Sequence, residues 1–177
     1  EISACLVGSE MCIRDRNEGV SVLMRKANRA ITDLDEIKAL IDSCDTIRLG
    51  FVDGDEAYIV PLSFGFEAEN GEFTFYVHGA KAGRRHTLAK KSSRVCVEAD
   101  VCSGFVELEQ GSQTADYKSF IGYGEISTVT GEEAVKALTL LCRHCGFDEM
   151  GCPEAVVNST SVEKIVVRDF SAKQRFK

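Results

Sequence analysis

Short alternating apolar and polar runs, each closed by a turn signal, constrain this chain more than any other feature. Thr46-Ile47-Arg48-Leu49-Gly50-Phe51-Val52 reads as a strand, and Asp53-Gly54-Asp55 as the turn that ends it. Ala57 to Glu67 reads as a second strand, and Asn70-Gly71 turns the chain into a third, Phe73 to His78, which predicts an antiparallel meander. Val95 to Val101 makes a fourth, Ser119 to Ile126 a fifth within Tyr117 to Val129, and Val162 to Phe170 the last. Helical spacing falls between them. Leu34, Ile37, Leu40 and Ile41 share one face from Asp33 to Ser43, with Thr32 or Asp33 as the cap. A short helix is expected from His86 to Lys91, and another opens at Gly131-Glu132-Glu133 with Ala134, Leu138, Leu141 and Cys142 on one side. Five or six strands with helices among them fit a mainly β, α+β chain. The expected architecture is a small antiparallel, Greek-key-like barrel with peripheral helices, not a βαβ repeat.

Composition narrows the partners. The chain has 177 residues, 44% hydrophobic and 28% charged, which suits one globular domain. A net charge of −7 repels phosphate backbones, so no nucleic-acid partner is expected. No apolar run approaches the roughly 20 residues that span a bilayer, so no membrane partner is expected either. The start, Glu1-Ile2-Ser3, is not basic, and the apolar stretch Ala4 to Val7 stops at Gly8, so a cytoplasmic location with reduced thiols is expected. Glu1 to Leu23 has no periodicity and resembles translated sequencing-adapter read-through. It is read as a non-native or disordered tail, leaving residues 24–177 as a single domain. The tail holds four acids and two bases, so that domain carries −5.

Against this acidic background one segment is cationic. Lys81, Arg84, Arg85, Lys90, Lys91 and Arg94 follow one another with no acid between them, just where a strand gives way to a helix. Backbone N–H groups and the helix dipole point at such a spot, and Gly79 and Gly83 let an anion approach the backbone closely. Paired arginines add charge-assisted bonds to phosphate oxygens. A small phosphorylated ligand and a merely solvated helix face both satisfy this pattern. Pro61 within the second strand cannot donate to a ladder, so it marks an edge, a bulge or a ligand's approach.

The segments Ile47 to Phe51, Tyr58 to Gly65, Phe75 to Arg85, Arg94 to Cys96 and Tyr117 to Gly124, in that order, resemble the pyridoxamine 5′-phosphate oxidase-like flavoproteins. Within them, the chain looks most like the branch related to 5-nitroimidazole resistance proteins. The resemblance implies a split β-barrel homodimer with FMN at the subunit interface. It implies Pro61, Leu62 and Ser63 at the edge of the flavin ring, and Tyr76, Val77, His78, Lys81, Gly83, Arg84 and Arg85 around ribityl and phosphate. Ser119 and Tyr123 would come from the partner chain. The expected activity is reduction of a small flat acceptor such as a nitroaromatic, with NAD(P)H as a visiting donor. No GxGxxG segment follows a strand to hold a nicotinamide nucleotide permanently. His78 is the candidate catalytic residue, placed to orient a nitro oxygen or donate a proton, or else to serve only as a flavin ligand. Two alternatives are oxidation of pyridoxamine or pyridoxine 5′-phosphate, which the short C-terminal segment Phe170 to Lys177 argues against, and a non-enzymatic flavin- or haem-binding protein.

Cys142-Arg143-His144-Cys145 with Cys152 resembles a zinc-ligand spacing, but Cys142 and Cys145 also sit at the i, i+3 spacing of a buried helix face. No metal is expected there.

Overall fold

The computed structural model describes residues 26–147 and 153–176. The proposed tail and Cys152 therefore lie outside the described residues. The elements are β1 (Ala30–Ile31), α1 (Leu34–Asp42), β2 (Ile47–Asp53), β3 (Glu56–Leu62), β4 (Gly65–Glu69), β5 (Glu72–Gly79), α2 (Arg84–Lys91), β6 (Arg94–Glu107), β7 (Gln113–Val129), α3 (Gly131–His144), α4 (Glu154–Ser159) and β8 (Ser161–Gln174). The strands form one eight-stranded sheet in the order β3-β2-β6-β7-β8-β5-β4, every pairing antiparallel, with β1 added to the end of β8.

Local chemistry starts the elements as expected. The Asp33 carboxylate accepts from the Asp35 and Glu36 amides and caps α1, whose buried face is Ile37, Leu40 and Ile41. Asn70 and Gly71 both take positive φ, 51° and 77°, in the tight turn between β4 and β5. The core beneath the sheet is aromatic. Phe73, Phe75, Phe120 and Phe170 are buried with ring centroids 5.1–6.4 Å apart, and Phe64 joins them 5.9 Å from Phe75.

Three expectations are corrected. Ala57 to Glu67 is not one strand: β3 ends at Leu62 and β4 begins at Gly65. Phe64 turns fully inward between them and packs on Phe66 and Phe75, which pulls the chain off its ladder. In consequence β3 and β4 stand at opposite ends of the strand order though only Ser63 and Phe64 join them, and the expected meander is two separate hairpins. Pro61 is on an edge strand, the one place where its missing N–H costs no ladder bond. The short helix begins at Arg84 and not at His86. Finally, β6 and β7 run on past the expected segments as a hairpin arm, Cys102 pairing with Tyr117 and Glu107 with Gln113. Its mixed residues lack the alternation that marks a strand.

The helices pack on different parts of the sheet, α1 against β6 and β7, α2 against β2 and β7, and α3 against β4, β5 and β8. α3 lays Ala134, Ala137, Leu138 and Leu141 toward β4 and β5, where Tyr76, Val129 and Val162 complete a second buried cluster. Among the described residues, no helix is long and apolar enough to cross a membrane.

Candidate functional site

The predicted site residues separate into two groups and three outliers. The outliers are Leu62, which packs on the core, Tyr76 and Val77. Tyr76 is 4% exposed, packs under α3, and donates its hydroxyl to Glu67 Oε2 at 2.8 Å. Burial and this carboxylate push its hydroxyl well above the ordinary phenol range. Burial pushes Glu67 up, but the Lys136 ammonium at 2.7 Å and the Tyr76 hydroxyl more than offset that and hold it low. Val77 is fully buried in the main core. Neither side chain is available to a ligand, because alternation along β5 places one under α3 and the other in the core.

The first group is a surface on the outer face of the sheet. Register sets Ile59, Gly50, Cys96 and Tyr123 in one row across β3, β2, β6 and β7, and Pro61, Arg48, Glu98 and Ile121 in the next. Ile59 and Tyr123 are 63% and 44% exposed, and between them stand only a glycine and a cysteine. The result is a low strip with apolar walls. Burial, with Glu98 beside it, pushes the Cys96 thiol up, which disfavours its thiolate. Pro61, Ser63 and Ile121 border the strip, and Ser119 continues it one pair further along β7. Leu62 points the other way and packs on the core. Arg48 is held by Glu98 at 2.9 Å and Asp100 at 2.6 Å.

The second group is the cationic corner at the end of β5. Gly83, with φ 104°, is the N-cap of α2, no side chain caps that end, and its first turn has no acid. The leading N–H groups of α2 therefore have no intrahelical partner and no competing anion on their own helix. Lys81 donates to the Asn158 carbonyl of α4, and His78 is exposed beside it on β5.

The two arginines part company. Arg84 leans over the Tyr58 ring, 4.8 Å from its centroid, and donates to Asp53 at 2.9 Å and Glu56 at 3.2 Å on the β2–β3 hairpin. It is half exposed, so these pairs are weak and open to exchange. Arg85, only 10% exposed, turns into the sheet and donates Nη1 to Glu163 Oε2 at 2.9 Å. The two arginines expected to share one phosphate thus take different protein partners, because neighbours on a helix point about 100° apart. Leaving Glu163 unpaired would cost about 3–5 kcal/mol, more than the roughly 1.5–3 kcal/mol of one charge-assisted bond to a ligand.

Glu163 went unread in the sequence, as did its companion Ser161. A signal existed, since period-2 spacing puts Glu163 on the same face as the buried Ile165 and Val167. An acid on an apolar face calls for a partner, and only the fold identifies which.

In the Cys142–Cys145 segment Cys142 is half-buried, Cys145 is exposed, and His144 packs inward. The His144 ring lies 4.3 Å from that of Phe64, and its Nε2 donates to the Cys44 carbonyl at 2.8 Å. Among the described residues no three His, Cys, Asp or Glu side chains are grouped to hold a metal ion. Cys44 is buried, and burial with Asp100 nearby raises its thiol to about 11. At pH 8 only about one such thiol in a thousand is ionised. Iodoacetamide under native conditions should therefore modify the exposed Cys102 and Cys145 and leave Cys44 intact until the protein unfolds, as read by peptide mass mapping. Labelling of Cys44 at the pace of Cys145 would contradict this burial.

A single antiparallel eight-stranded sheet with peripheral helices, edged by a cationic strand-to-helix corner, defines an α+β split barrel. The chain belongs to the pyridoxamine 5′-phosphate oxidase family, whose model matches residues 33–174. Among solved structures it is similar to a candidate 5-nitroimidazole antibiotic resistance protein from Bacteroides thetaiotaomicron. That match has 24% identity and a TM-score of 0.71, over 81% of this chain and 85% of that one. It is also similar to the flavocytochrome Anf3 of Azotobacter vinelandii, at 17% identity and a TM-score of 0.68 over 88% and 73% of the two chains. A FAD- and haem-binding protein from Mycobacterium smegmatis follows at 12% identity and a TM-score of 0.67, over 84% and 74%. A comparison with curated proteins found no match.

Proposed function

We propose that this chain is an FMN-binding oxidoreductase, working as a homodimer with the flavin at the subunit interface. It would take reducing equivalents from a visiting donor such as NAD(P)H and pass them to a small flat acceptor such as a nitroaromatic. The observation that carries this reading is the α2 N-terminus, uncapped, with no acid in its own first turn, and flanked by Lys81 and the half-exposed Arg84. That donor set fits a phosphate dianion. The low Gly50–Cys96 strip beside the exposed Ile59 suits a flat ring.

When bound, FMN would supply the redox chemistry. The chain's residues do the rest. Lys81, Arg84 and the leading α2 amides hold the phosphate, and Gly83 keeps the approach open. The edge of β3 at Pro61 and Ser63 lies against the ring, while Ser119 and Tyr123 close over it from the second subunit. His78, exposed at the corner, stands ready to hold or deliver a proton to an acceptor. The exposed Phe105 on the β6–β7 arm, at 80%, together with Ile59 and Tyr123, supports a second copy as the cover for this face.

The mass and visible spectrum of the co-purified cofactor test the reading most directly. Flavin bands near ~450 nm that bleach anaerobically with a nicotinamide donor and return on adding a nitroimidazole are expected. A colourless protein indifferent to FMN would end the proposal. Oxygen uptake with pyridoxine 5′-phosphate would redirect it to the oxidase reaction. Replacing Lys81 and Arg84 together with Ala should weaken FMN binding about 100-fold and riboflavin binding less than about threefold, because only FMN carries the phosphate. Equal losses for both flavins would remove the phosphate assignment.

A further inference from the structure

Behind the corner lies a buried chain of polar groups that the binding reading does not use. Glu163 on β8 is 1% exposed, and its two oxygens take different partners: Oε2 accepts from Arg85 Nη1 at 2.9 Å and Oε1 from the Ser161 hydroxyl at 2.8 Å. The one hydroxyl proton of Ser161 is committed to Glu163. Its 3.3 Å contact with His86 Nδ1 therefore requires the ring nitrogen to donate. The bonds run from His86 to Ser161 to Glu163, and from Arg85 to Glu163. Both outer members are consecutive residues of the first turn of α2, and both inner members belong to β8.

Gly79 closes the arrangement. It pairs with Ser161 across β5 and β8, and a Cβ on it would stand 2.5 Å from Arg85 Nη2. That nitrogen is buried with no hydrogen-bond partner among the described residues. Arg85 is thus pinned by a carboxylate on one side and by bare backbone on the other.

We propose that Glu163 is a positioning residue: through Arg85 it fixes the first turn of α2 against β8, so that the turn's N–H groups, Lys81 and Arg84 face a phosphate in one geometry. Arg85 is the post of this device and makes no contact with the phosphate. The inference rests on the FMN reading above, and its failure can be told apart from failure of that reading.

The test is a fluorescence titration of FMN and of riboflavin against the wild type, Glu163→Gln, Gly79→Ala, Arg85→Ala and the double variant Arg85→Met/Glu163→Met, with thermal melting alongside. The wild type is expected to prefer FMN. Glu163→Gln keeps the shape and the Ser161 bond but removes the charge that holds Arg85. It should weaken FMN about tenfold and riboflavin no more than about twofold. Gly79→Ala displaces the guanidinium with Glu163 unchanged and should reproduce that pattern. The double variant replaces the buried pair with apolar groups of similar size and should recover most of the FMN preference that Arg85→Ala loses. A wild type without preference for FMN sinks the flavin reading itself. A preference retained in both Glu163→Gln and Gly79→Ala overturns the clamp, and so does a double variant as impaired as Arg85→Ala, which is the behaviour of a direct phosphate ligand.

Discussion

Gly65→Ala is expected to destabilise the protein by about 3 kcal/mol or to leave α3 detached from the sheet, the upper end of what overpacking costs. Gly65 opens β4 directly beneath α3. A Cβ there would stand 2.5 Å from the Leu141 nitrogen, 2.6 Å from the Leu140 carbonyl carbon and 2.9 Å from the Leu141 Cα. All three atoms are helix backbone, which cannot swing aside as a side chain would. The helix must retreat, and with it Ala134, Ala137 and Leu138 leave Tyr76, Val129 and Val162. Urea unfolding and the near-ultraviolet circular dichroism of Tyr76 would read the change. Gly71→Ala is the control: its φ is +77° but its Cβ meets nothing within 4 Å, so it should cost only about 1 kcal/mol of backbone strain. A Gly65→Ala protein within about 0.5 kcal/mol of the wild type would mean that α3 does not sit where the packing puts it.

Phe120→Ala should cost a further-reaching loss, about 3–5 kcal/mol. Phe120 is fully buried on β7, in the middle of the sheet order, with its ring 5.5 Å from Phe73, 5.8 Å from Phe75 and 5.5 Å from Phe170. Those rings come from β5 and β8, so one truncation opens a cavity shared by three strands that cannot all close in upon it. Phe120→Leu should recover more than half of the loss. Phe105, at 80% exposure on the arm of the same sheet, should tolerate Ala within about 0.5 kcal/mol in a dilute monomer. Comparable losses at both positions would contradict the separation of core from surface.

The elements differ in how far they can be read from the residues, and the difference follows range. Asp33 caps α1 with a bond two residues long, and Asn70-Gly71 bends the chain within four residues. Such features need no distant partner. The break between β3 and β4 is different, because Ala57 to Glu67 is uniformly strand-like and only the pocket awaiting Phe64 divides it. The Cys142–His144–Cys145 spacing resembles a zinc set although no metal is expected, and only the fold shows that the His144 ring meets Phe64 and the Cys44 carbonyl, from another part of the chain. In the site, the cationic character of residues 81–94 was legible, as was Pro61 at an edge. The burial of Tyr76 under α3 was not.

By itself the sequence determined the class of fold, the local turns and caps, and the presence of one positive corner on an acidic chain, since alternation, φ preference and charge are properties of neighbouring residues. Tertiary structure alone decided which cations of that corner stay available. Arg84 and Arg85 are adjacent and chemically identical, yet one faces solvent over Tyr58 and the other is sealed against Glu163. The acid that separates their roles lies 78 residues away and meets Arg85 only because β8 pairs with β5.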